Sequence, residues 1–467
     1  MYLLLVALYT LLFNGPIIVS PAGPLTSISE AVAQAQPGDT IEVRGGVYHE
    51  HISIDKPLTL VGIDRPIIDG DGKGIIIDID APDVTVRGFH LRNSGKVLEK
   101  EDGGIETRGA RTLIEDNILE EVLFGVYLNL SPNSTIRNNQ ITGYDLPPAL
   151  RGDLIRFWYS HDSVLEGNTI NHGRDAVIWF SKGAQLRNNI IRQGRYGLHF
   201  MFDDDNVLEG NYLEGNSVGA YLMNSKNLKV LGNTFAFNRG PSGYGLGLKD
   251  MDGIYAQDNR FVGNRVAVYL DNPPAASGVK DQIVRNLFAY NDIGMLFLPL
   301  VRNTELWDNT FWENSEQVAI QGGGELKGND WEMDGRGNYW SDYAGYDANG
   351  DGVGDLPYRS ISLFENLMGR YPALRLFQQS PASDAIDLAA RAFPITQPRA
   401  KMADQYPLMA PVPLPPGPGV PEPARLPAVL VALVLLAIAA VILAFGQARL
   451  RQPSAGRTQT TNRQVWA

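Results

Sequence analysis

Ten asparagines recur through the middle of the chain at a nearly constant stride: Asn117, Asn139, Asn168, Asn189, Asn211, Asn233, Asn259, Asn286, Asn309 and Asn329. The gaps are 22, 29, 21, 22, 22, 26, 27, 23 and 20 residues. Each Asn closes an apolar strand and opens a polar turn, as in VLEGNTI, QLRNNII, VLEGNYL, VLGNTF and LWDNTF. A fixed period in the low twenties with strand-like content predicts a stacked solenoid. The Leu-x-x-Leu-x-Leu spacing and helical segment of leucine-rich repeats are missing, so the expectation is an all-β, right-handed parallel β-helix. Equivalent residues then stack about 4.8 Å apart. Aligned Asn side chains would hydrogen-bond from rung to rung and satisfy the backbone of the bend.

The period also sets the domain boundaries. Residues 23–360 are expected to form the β-helix, with insertions at Tyr144–Leu154, Gly240–Gly245 and Asn272–Gly278 projecting as loops. A short amphipathic helix over Ile28–Gln36 would cap the open first coil, whose backbone edge is otherwise unpaired. Residues 1–22 are apolar and run into a Pro/Gly/Ala stretch, the pattern of a secretory leader, although the first basic residue is Arg44. Residues 361–424 read as an irregular segment ending in the proline-rich spacer PVPLPPGPGVPEPARLP, extended and semi-rigid. Residues 425–447 read as a transmembrane helix, because the uncharged run Leu426–Gly446 would span roughly 31 Å. Arg449, Arg451, Arg457 and Arg463 in the tail 448–467 place that tail in the cytoplasm and the solenoid outside.

Net charge is −12 and no Lys/Arg run crosses the repeats, which argues against a nucleic-acid partner. The chain has no Cys, so disulfides, zinc–thiolate centres and Cys nucleophiles are all excluded. Two metal-binding patterns remain. Asp347, Asn349, Asp351 and Asp355 fall at positions 1, 3, 5 and 9 of a calcium-type loop, with Gly352 at the turning position 6. Tyr358 stands where such a loop places its bidentate Glu. The expected role of calcium is structural, and the alternative is a metal-free Asx-turn loop.

The second pattern emerges when rungs are aligned by their turn Asn. Gly197–Met201 then lies over Gly219–Met223, 22 residues on. Alternate strand residues share a face, so Leu198, Phe200, Ala220 and Leu222 should point inward and His199, Met201, Tyr221 and Met223 outward. His199, Met201 and Met223 would offer one imidazole and two thioethers, a soft set suited to Cu(I). The run Asp203–Asp205 beside them would attract a cation. An adhesive Met/Tyr patch is the competing explanation. A carbohydrate-binding or carbohydrate-processing surface is a further alternative, drawing on Asp153, Asp162, Asp175, Asp203–Asp205, Arg156, Arg174, His161, Trp158, Tyr159 and Trp179. No compact acid/base signature accompanies those carboxylates, so a non-catalytic protein is favoured.

Three segments carry a family resemblance: GDLIRFWYSHDSVLEGNTI, GRYGLHFMFDDDNVLEGN and GNYWSDYAGYDANGDGVGDLPYR. They resemble the NosD family, exported β-helix proteins of nitrous oxide reductase maturation, and the likeness extends over roughly residues 25–360. The resemblance implies an extracytoplasmic accessory protein working with an ABC-type ATPase and permease. It further implies a transient copper cargo, a copper chaperone as donor, and nitrous oxide reductase or another copper enzyme as recipient. It strengthens the copper reading of His199, Met201 and Met223. A membrane helix of its own departs from the family pattern of a soluble protein docked on its permease, and would raise local concentration at the membrane.

Overall fold

The computed structural model describes residues 15–361 and 400–417 continuously, parts of 364–392, and little beyond 417. Three parallel sheets of 13, 12 and 13 strands run the length of a right-handed β-helix, and every coil contributes one short strand to each sheet in turn. The first sheet runs from Ile17–Val19 to Thr304–Trp307, the second from Ile52–Ile54 to Glu316–Ile320, and the third from Val47–Tyr48 to Tyr339–Trp340.

Register follows the predicted stacking. Ile114, Ile136, Leu165, Leu186, Leu208, Val230, Ala256, Ile283 and Leu306 form one inward row of the first sheet, rung over rung. All are at most 2% exposed. Burying the larger of these side chains contributes about 1.5–3 kcal/mol each, and apolar neighbours stacked along the axis pack directly on one another. In the third sheet Phe235, Phe261, Phe288, Phe311 and Trp340 stack with ring centroids 4.3–5.1 Å apart.

The asparagine ladder forms as a buried chain. Each Oδ1 accepts from the backbone N–H and Nδ2 of the Asn one rung earlier, as Asn189 does from Asn168 at 3.0 Å. Its last member is Asn338, which accepts from Asn309. Asn329, expected in the ladder, instead accepts from Thr304 and donates to Val301 at the neighbouring corner. A second ladder, Asn216, Asn238, Asn264, Asn291 and Asn314, repeats the device at another bend.

Both ends are capped. The helix Ile28–Gln34 covers the first coil, slightly shorter than expected, with Ser27 as N-cap. Glu50 accepts from Ser27 Oγ and the N–H groups of Ile28 and Ser29, bringing a negative charge to the helix start. Ile17–Val19 pairs with Thr40–Arg44, so the segment read as a leader ending at residue 22 overlaps the first strand. At the other end residues 401–409 return to the last coil, within the segment expected to be irregular linker. Asp404 accepts from the N–H of Asn338 at 2.7 Å and from Trp340 Nε1 at 2.9 Å. Tyr358–Arg359 pairs antiparallel with Ala403–Asp404, and Lys401 reaches Glu316 at 2.6 Å. Residues 1–14, the tail 448–467 and all but a few positions of the expected membrane helix 425–447 lie outside the described residues. Among the described residues no helix is long and apolar enough to cross a membrane.

Candidate metal site on the second sheet

The strands Tyr196–Met201 and Val218–Met223 lie side by side in the second sheet, pairing His199 with Tyr221 and Met201 with Met223. Leu198, Phe200, Ala220 and Leu222 are fully buried inward, so His199, Met201 and Met223 share the outer face. Register continues downward from Met201 to Trp179 and Trp158, and upward from Met223 to Lys249. Met201 and Met223 are half-buried, whereas His199, expected to be exposed, is only 8% exposed. Rings of Trp179 and Tyr196 close over it, at centroid distances of 5.3 and 4.9 Å and nearly perpendicular.

A register shift after Asp175 sets its carboxylate beside His199. Oδ2 lies 3.5 Å from His199 Nδ1, a long contact, and that nitrogen has no closer partner. Arg195 Nε binds the other oxygen of Asp175 at 3.0 Å. Burial pushes the Asp175 carboxyl up, but its bonds to His199 and Arg195 outweigh burial and hold it below the usual range. An ionised carboxylate behind Nδ1 favours the tautomer that keeps Nε2 as a lone-pair donor. Trp179 Nε1 is likewise buried without a partner. The imidazole and the two thioethers share one outer face beside the unpartnered Trp179 Nε1, a soft donor set. These residues fit a Cu(I) cargo.

The other carboxylates have different roles. Asp153 is enclosed by Arg156 at 3.0 Å and Arg174 at 3.1 Å, and Arg156 also binds Glu101. Burial nonetheless raises the Asp153 carboxyl, because it outweighs the two arginines and the nearby Asp175 adds to it. Asp203 does not serve as an exposed cation attractor. It is fully buried, accepts from the N–H groups of Ser181 and Met201, and occupies a corner held elsewhere by Ser160, Ser181 and Ser225. Burial pushes its carboxyl up to about 8, so it is largely neutral at pH 7. Asp204 pairs with Lys182 at 2.7 Å, and Asp205 accepts from Asn227. His161 accepts from the backbone of Lys182 on a different corner from Asp153.

In the loop 347–355 the side-chain oxygens turn onto the loop's own backbone. Asp347 accepts from the N–H groups of Gly350 and Gly352, Asn349 from Asp351, Asp351 from Val353, and Asp355 from Ala348. Among the described residues one trio of His/Asp/Glu side chains brings ligand atoms within 4.8 Å of one another: His49, Asp69 and Asp71. The sequence reading missed this trio, although His49 and Asp71 are one period apart. Arg92 and Asn93 already occupy Asp69.

One corner bordering the site carries bulky residues in the left-handed region: Leu130, Tyr159, Phe180 and Phe202, at φ 55°, 48°, 54° and 59°. On later rungs the same corner is Asn224, Asp250 and Asn272, the residue types that this backbone favours. Tyr159, Phe180 and Phe202 stack at 4.9 and 5.3 Å, forming with Trp158 and Trp179 an apolar flank beside Met201.

Comparison with known proteins agrees with this architecture. A family model described as "Periplasmic copper-binding protein (NosD)" matches residues 144–345. A second, described as "Right handed beta helix region", matches residues 73–184. A "Probable ABC transporter binding protein NosD" of Pseudomonas aeruginosa is 30% identical over 421 residues, covering 84% of this chain and 96% of the relative. The protein of the same name in Stutzerimonas stutzeri is 29% identical over 418 residues, covering 85% and 92%. Among solved structures, the catalytic domain of a GH87 α-1,3-glucanase aligns with TM-score 0.54 at 12% identity, over 70% of this chain and 69% of the glucanase. The catalytic unit of a Streptomyces thermodiastaticus GH87 α-1,3-glucanase aligns with TM-score 0.51 at 16% identity, over 71% and 70%. At such identities these two matches show a shared β-helix fold. With the first relative's 30% identity over nearly its whole length, this chain belongs to the NosD family.

Proposed function

We propose that this protein is an extracytoplasmic copper-handling accessory factor, in which His199, Met201 and Met223 hold Cu(I) transiently on the outer face of the second sheet. The observation that supports the reading most is the register match of Met201 over Met223, with His199 two residues away and Asp175 behind its imidazole. Thioethers and imidazole bind Cu(I) in preference to hard cations. Two half-buried Met ligands would leave the ion accessible to a partner, and exchange from so small a ligand set is compatible with handover. The names of the relatives add an ABC transporter as the partner class. By family membership the recipient would be nitrous oxide reductase or another copper enzyme, supplied through a copper chaperone.

The remaining parts follow the same reading. The apolar run 425–447 would tether the solenoid outside the cytoplasmic membrane. The loop with Asp347, Asn349, Asp351 and Asp355 would take calcium as a structural ion, with its carboxylates turning from backbone to metal. The protein acts without catalysis. Asp153 and Asp175, two of the carboxylates considered for carbohydrate chemistry, are both engaged by arginines.

Anaerobic Cu(I) titration of the full chain against a competing chelator tests the proposal. The expected outcome is one-site binding that weakens at least about 100-fold in the Met201→Ala/Met223→Ala double variant, as loss of two of three ligands predicts. Unchanged binding in that variant would remove the site assignment.

A further inference from the structure

Trp179 borders the candidate ligands on the outer face of the second sheet. It lies in register with Met201, one rung below, on the same outer face. Its ring packs against the His199 imidazole at a centroid distance of 5.3 Å and an interplanar angle of 84°. Its Nε1 is buried with no hydrogen-bond partner, an arrangement that is costly where nothing offsets it. The adjacent Trp158 shares its row and packs at 6.1 Å, but on the side away from His199.

We infer that Trp179 is a cation–π cap on the bound Cu(I), presenting its indole face to an ion held by His199, Met201 and Met223. The inference rests on the copper reading above. Three soft donors leave a monovalent ion one open side, and an electron-rich indole can cover that side without adding a charge or a hard ligand. The ring lies close enough to the imidazole, at 5.3 Å between centroids, to border an ion held there. A π cap favours a monovalent soft ion and excludes water from it. Trp179 thus tunes which oxidation state the site retains, while the three ligands determine whether it binds at all.

Tryptophan emission and Cu(I) affinity are measured together, anaerobically, on the full chain and its variants. The chain holds 7 tryptophans, so quenching is read as the difference between wild type and variant. Cu(I) should quench wild-type emission, and Trp179→Leu should abolish most of that quench and weaken binding about 10-fold. Trp179→Phe, which keeps an aromatic face and guards against a folding defect, should recover part of the affinity. Trp158→Phe should leave affinity unchanged. Equal affinity and equal quenching in wild type and Trp179→Leu would overturn the cap. If the Met201→Ala/Met223→Ala variant loses binding while Trp179→Leu does not, the cap alone fails. If the wild type binds no Cu(I), the cap and the copper reading fail together.

Discussion

Single residues in this molecule are read most clearly against their equivalents one coil away. Asp281 is the clearest case. Its Oδ1 accepts from the Ile254 N–H, its Oδ2 is buried without a partner, and burial pushes the carboxyl up to about 7 despite the backbone bonds. Three coils earlier Asn206 occupies the same corner and accepts from Ala184 through its own Oδ1. A carboxyl raised in the folded state binds its proton more tightly there than in the unfolded chain. Stability should therefore fall as pH climbs from about 4 through about 7, and stay at the lower level above that. Asp281→Asn should behave like wild type near pH 4 and gain on the order of 2 kcal/mol near pH 8, read from denaturant midpoints at the two pH values. The same comparison across coils bears on the candidate site. Pattern alone fixed the outward row of His199, Met201 and Met223, because strand alternation and a 22-residue offset suffice for that. It named Asp175 and Trp179 only for a carbohydrate surface and gave no sign that they meet His199. Asp175 meets His199 through a register shift that displaces it from the regular offset, and the Trp179 ring turns against the imidazole in a way that no spacing encodes.

At the scale of elements, the asparagine ladder is the principal directional device. Asn189 accepts two hydrogen bonds from Asn168 and donates to Leu165 and Asn211, all inside the bend. Asn189→Ala leaves the Asn168 N–H buried and unpaired and should cost about 3–5 kcal/mol, measured by equilibrium denaturation. The ladder was legible in sequence because its members must be chemically identical at stacked positions. Its final step was misread, since Asn329 sits one corner away while Asn338, beyond a longer gap, continues the chain of bonds. The second ladder escaped notice for a related reason. It begins only at Asn216, so it has fewer members to reveal a period.

Whole-molecule stability depends on closing the ends, because each coil packs only against its neighbours. The C-terminal closure was invisible to pattern reading: Asp404 meets Asn338 across 66 residues of unpatterned sequence, and no periodicity encodes that contact. A chain ending at residue 360 would lose Asp404, Lys401 and Leu408 from the last coil and expose the indole nitrogen of Trp340. It should be about 3–5 kcal/mol less stable than one ending at 417, and more prone to end-to-end association, as melting and light scattering would show.

The coil-by-coil register also makes the molecule a graduated ruler. Adding a coil on the C-terminal side, between Asn233 and Asn259, would carry the face bearing His199, Met201 and Met223 about 4.8 Å farther from the C-terminal cap while leaving its residues untouched. Adding one between Met201 and Met223 would split the pair. Distance from this face to either cap can therefore change only in whole graduations, and only outside the two coils that hold the sulfurs.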